Sequence, residues 1–99
     1  MIFAQLQYKG SAVDRHDEIA RLLRDRFPTV RDGVQGESWI WVFFDSDDKV
    51  EVDNFSSIST HEVKSPRAGK HVQAVIDVLR EKYRVDVRET PKHEAHEDA

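Results

Sequence analysis

Residues 39–44 read Trp39-Ile40-Trp41-Val42-Phe43-Phe44, six large apolar side chains in a row that include both tryptophans of the chain. A strand sends successive side chains to opposite faces of a sheet, so this segment predicts a strand that must hide two surfaces. No other stretch is apolar on both alternating faces. Ile2 to Tyr8 shows the commoner half-buried pattern, with Ile2, Ala4, Leu6 and Tyr8 on one side and Gln5 and Gln7 on the other. Lys9-Gly10-Ser11 reads as the turn that follows.

Two segments carry helical periodicity. Between Asp14 and Phe27, Ile19, Leu22, Leu23 and Phe27 share one face. Asp14, Asp17 and Glu18 stand near the positive end of that helix, Arg24 and Arg26 near the negative end. Pro28 stops it, because the residue before a proline is pushed out of α space. The second stripe is Val72, Val75, Ile76, Leu79 and Tyr83. Ser65-Pro66 is a start signal for it, a capping hydroxyl followed by proline, although Gly69 weakens the first turn and moves regular helix toward Lys70. Residues 28–37, with Gly33 and Gly36, read as a loop.

Asp45-Ser46-Asp47-Asp48 predicts a tight turn between strand 38–44 and strand 49–54. A two- or four-residue turn sets Phe43 against Val50 and Trp41 against Val52. Trp39, Trp41, Phe43, Val50 and Val52 then face the core, while Ile40, Val42 and Phe44 lie beside Lys49, Glu51 and Asp53 on the other face. A three-residue turn would shift the register by one and reverse the grouping. The first register is preferred because it pairs apolar with apolar. Phe55 to Val63 reads as a short edge strand, and Val85 and Val87 mark a last strand. The order β-α-β-β-(β)-α-β predicts an α+β two-layer sandwich, two helices on one face of a mainly antiparallel sheet of four to five strands. The ferredoxin-like split βαβ pattern is one arrangement of that order.

Composition narrows the function classes. Ninety-nine residues make one domain, taken as 1–89, followed by a polar tail, 90–99, without a large apolar residue and expected to be disordered. There is no cysteine, which removes disulfides, thiol nucleophiles and cysteine-ligated zinc. No apolar run approaches the roughly 20 residues of a membrane helix, and Met1 to Gln5 lacks a leader pattern. The expectation is cytoplasmic, without membrane association. A net charge of −4 argues against general nucleic-acid binding. Charge is nevertheless uneven: residues 45–53 are acidic and 64–71 are basic.

Three chemistries follow. If the helices cover one sheet face, Ile40, Val42 and Phe44, rimmed by Glu51 and Asp53, form an exposed apolar surface suited to a homodimer or another protein. Lys64, Arg67, Lys70 and His71 gather at the start of the second helix, where free N–H groups favour a phosphate, a nucleotide or nucleic acid. His61, with Glu62 and Asp53 on neighbouring strands, has the residue types of a small hydrolase, yet one histidine near carboxylates more often belongs to a solvated sheet face. His93 and His96 sit in the polar tail, where nothing would hold a metal rigidly. With no phosphate-loop, nucleophile-elbow or metalloprotease motif, no cofactor or metal is expected, and a non-enzymatic binding module is the leading expectation.

Overall fold

The computed structural model describes residues 1–55 and 60–88. Its elements run β1 (Ile2–Gln7), α1 (Ala12–Arg26), β2 (Val30–Gln35), β3 (Glu37–Phe43), β4 (Lys49–Asp53), β5 (Glu62–Lys64), α2 (Lys70–Leu79) and β6 (Arg84–Val87). The six strands form one sheet in the order β2-β3-β4-β5-β1-β6, with every neighbouring pair antiparallel. Helix α1 packs over β2 and β3, α2 over β4, β5 and β6, and the helices touch each other. The fold is therefore the two-layer α+β sandwich expected, and among the described residues no helix packs on the other face of the sheet. The β5–α2–β6 crossover straddles β1. Among the described residues no helix is long and apolar enough to cross a membrane.

Helix α1 begins two residues earlier than the periodicity suggested because Ser11 caps it: its hydroxyl accepts the Asp14 N–H at 3.1 Å. Phe27, extended at the C-cap, ends it before Pro28. In contrast, Ser65 does not cap α2. It is buried and donates to the Lys49 carbonyl at 2.9 Å, and Gly69 occupies the N-cap with no side-chain bond. The apolar stripe of α2 is nonetheless core: Val72, Val75, Ile76 and Leu79 are all fully buried.

Segment 28–37 is not a loop. Val30 to Gln35 pairs with β3 from Val30↔Val42 to Gln35↔Glu37, and the hairpin turns at Gly36, whose φ is +82°. The sheet thereby gains an edge strand and reaches six. Gly33 has a packing role there. A Cβ at that position would stand 2.6 Å from the Trp39 ring, so only glycine lets the indole lie on the β2 backbone. The strand expected across 55–63 appears as β5 at its end, and it lies between β4 and β1 rather than at an edge. Residues 56–59, and the terminal segment with His93 and His96, lie outside the described residues.

The β3–β4 register is the main correction. Phe44 N–H donates to the Asp48 carbonyl at 3.0 Å, and Asp47 N–H to the Phe44 carbonyl at 3.1 Å. The turn proper is the three residues Asp45, Ser46 and Asp47, with Asp47 left-handed at φ +66°, the geometry of a hairpin that closes with a bulge. Val42 consequently faces Val50 and Ile40 faces Val52. All four are fully buried under the helices, and each such side chain contributes about 1.5–3 kcal/mol of burial. Phe44 turns to the same side, packing edge-on to Phe27 and His71. Ile40, Val42 and Phe44 are therefore not an exposed interface; the outward set is Trp39, Trp41 and Phe43.

The turn gives a stability test. Valine at position 47 is strained in left-handed backbone, so Asp47→Val should cost about 1–2 kcal/mol in urea unfolding, whereas Asp47→Gly should fold with no loss.

Candidate functional site

The uncovered face is organised in cross-strand rows. One row runs Arg31–Trp41–Glu51–Lys64 and the next Gly33–Trp39–Asp53–Glu62. Trp39, Trp41 and Phe43 are each partly exposed. Their rings form a ladder along β3, 4.7 Å between the two indole centroids and 6.4 Å from Trp41 to Phe43. Lys49 Nζ stands 4.5 Å from the Trp41 centroid, a cation–π distance, and 3.1 Å from Glu51. The predicted rim residues Glu51 and Asp53 do lie on this face, but beside the aromatics instead of beside Ile40 and Val42.

Asp53 is fully buried and Glu62 nearly so, although both stand on the face away from the helices. They are direct cross-strand partners, a like-charge arrangement that costs stability. Lys64 Nζ bonds Asp53 at 2.5 Å, and Arg88 approaches Glu62 at 3.6 Å. One oxygen of each carboxylate remains without a partner, as does Trp41 Nε1. These three are the unpartnered buried side-chain atoms among the described residues, and all of them belong to the uncovered face.

Of the expected anion-binding residues, Arg67 and His71 come together at Asp48. Lys64 lies on the uncovered sheet face against Asp53. His71 is buried, its Nε2–H donating to the Arg67 carbonyl at 3.0 Å and toward Ser65 Oγ at 3.1 Å. Lys70 is exposed. Near the start of α2 stands a carboxylate the protein itself supplies: Asp48 accepts from Arg67 Nε at 2.5 Å and lies 3.6 Å from His71 Nδ1. The hydrogen bond from Arg67, with a second from Ser46, holds the Asp48 carboxyl down to a pKa of about 2. The acidic hairpin and the basic segment satisfy each other within one molecule.

His61 is not an exposed acid–base group. It belongs to a buried polar chain that sequence patterning missed. Tyr8 O–H donates to His61 Nδ1 at 2.6 Å and accepts the His61 backbone N–H at 3.0 Å. His61 Nε2–H donates to Ser38 Oγ at 2.7 Å, Ser38 O–H to His16 Nδ1 at 2.5 Å, and His16 Nε2–H to Asp32 Oδ2 at 2.7 Å. Arg24 closes the far end on Asp32 Oδ1. Read in this direction every donor meets an acceptor. Asn54 fixes Ser38 from behind by accepting its backbone N–H at 2.7 Å. Burial, reinforced by neighbouring His16, pushes the His61 pKa down to about 4. Burial likewise raises the Tyr8 phenol, keeping it a donor. The trio Ser38, His16 and Asp32 has the residue types of a nucleophilic triad. Ser38 and His61, however, are fully buried and His16 nearly so. A substrate cannot reach the serine, and the geometry is that of a satisfied structural network. Beside its Asp32 end lies an open depression of about 290 Å³ lined by Asp17, Ala20, Arg21, Arg24, Asp25 and Asp32. Asp53 and Glu62 stand on the opposite face of the sheet, so the predicted hydrolase grouping is not assembled.

No family model, no curated protein and no solved structure matches this chain.

The polar chain makes stability depend on pH. Folding lowers the His61 pKa from 6.5 to about 4, so between those values the unfolded chain binds a proton that the folded chain does not. The stabilisation is complete above pH 6.5 and is lost as the pH falls toward 4, by up to about 1.4 kcal/mol per pH unit. Urea titrations across this range should show that slope in the wild type and a flatter one in His61→Gln. Ser38→Ala strands ring nitrogens on both histidines and should cost about 2–3 kcal/mol at neutral pH.

Proposed function

We propose that this protein is a non-enzymatic association module that pairs with a second copy of itself through the uncovered face of its sheet. The observation that carries this reading is the Trp39–Trp41–Phe43 ladder, three large aromatic side chains partly exposed on a sheet face that no helix covers among the described residues. Aromatic residues are enriched in interface cores and supply much of the energy there.

Size is a further argument. A domain of about 100 residues has a thin core, and joining two such sheets face to face gives a four-layer assembly with twice the buried interior. The β5–α2–β6 crossover around β1 supports reading the architecture as a ferredoxin-like unit enlarged by extra strands, one that leaves a sheet face available. The cysteine-free composition supports a cytoplasmic setting.

Light scattering coupled to size-exclusion chromatography tests this directly. A dimer should form in the micromolar range and dissociate on dilution, with the tryptophan emission moving to longer wavelength as the indoles meet water. Trp41→Lys should leave a folded monomer, because position 41 points away from the core. A wild-type protein that stays monomeric at several hundred micromolar overturns the reading.

A further inference from the structure

The central row of the uncovered face has a charge order that a two-fold axis can use. Arg31 on β2, Trp41 on β3 and Glu51 on β4 are direct neighbours across the strands: a cation, an aromatic ring and an acid, with the aromatic in the middle. Arg31 is exposed and enters none of the ion pairs found among the described residues. Glu51 pairs with Lys49 two residues before it on the same strand and stands directly across from Lys64 on β5.

In an isologous dimer residue i meets residue j and j meets i. An axis running along β3 lays the aromatic ladder of one copy on that of the other, and it exchanges β2 with β4 across the interface. Packed sheets lie about 10 Å apart, a gap that an extended arginine and an extended glutamate bridge between them. We infer that Arg31 of each copy pairs with Glu51 of the other, and that these two symmetric ion pairs fix the register of the self-association and exclude other aromatic partners. This inference rests on the self-pairing reading above and assigns its specificity.

Charge exchange tests it. Arg31→Glu places two acids in apposition, and Glu51→Arg places two cations. Each single variant should weaken self-association about tenfold or more relative to wild type, as like-charge contacts at interfaces do. An equimolar mixture of Arg31→Glu with Glu51→Arg should recover a heterodimer within about threefold of the wild-type affinity, read by analytical ultracentrifugation. Raised salt should weaken the wild-type dimer. Both substitutions are at solvent-accessible positions, and circular dichroism confirms that each variant is folded. If the wild type dimerises and Trp41→Lys abolishes it, yet the charge variants associate as the wild type does or their mixture shows no recovery, the Arg31–Glu51 pairing is wrong while the self-association reading stands. If the wild type never dimerises, both fall.

Discussion

The side of β3 that faces the helices is decided outside β3, in a turn of three residues. Every side chain from Trp39 to Phe44 is apolar, so hydrophobic patterning does not choose between the two faces of that strand. The choice is made where Asp47 takes left-handed backbone and lets the hairpin close after Asp45, Ser46 and Asp47. Ile40 and Val42, slimmer side chains that pack closely with Val50 and Val52, then go under the helices. The indoles go outward, where there is room for them. The same turn delivers Asp48 to Arg67 and His71 at the start of α2, so one local conformation sets the strand register, supplies a charge partner near a helix end and defines the exposed surface.

How far the sequence revealed this depends on whether the relevant signal was local. Both helices were visible as single apolar stripes, because a helix displays its buried face at a fixed spacing. The apolar run of residues 39–44 correctly identified a strand. The register was not visible, since a preference for apolar cross-strand pairs fits both alternatives when one strand has no polar face. Strand β2 was hidden because Gly33 and Gly36 look like loop residues. One of them is the hairpin turn, and the other is a seat for the Trp39 ring, a tertiary requirement without a local signature. Ser65-Pro66 had the form of a helix cap, yet the hydroxyl is spent on the Lys49 carbonyl.

The buried polar chain was the least legible part. His16 stands among the charged residues of α1, and nothing in that pattern sets it apart from the solvated face. Ser38 opens an apolar strand, and His61 precedes β5 by one residue. Only the assembled fold brings them within hydrogen-bonding distance. A weak clue existed in hindsight: His16 lies three residues before Ile19 and seven before Leu23, which puts it on the apolar stripe of its helix.

That chain has a consequence for how the molecule assembles. Its members come from the end of β1, the approach to β5, the first residues of β3, the middle of α1 and the β2 edge. Each link shares a proton donor or acceptor with the next, so a partly built chain leaves a polar group dry and unmatched, which is worse than none at all. The elements it ties are distant in sequence, and loop closure must precede any gain from joining them. Half-formed versions of this fold are penalised, and the network makes assembly cooperative: it withholds its contribution until the last element is in place.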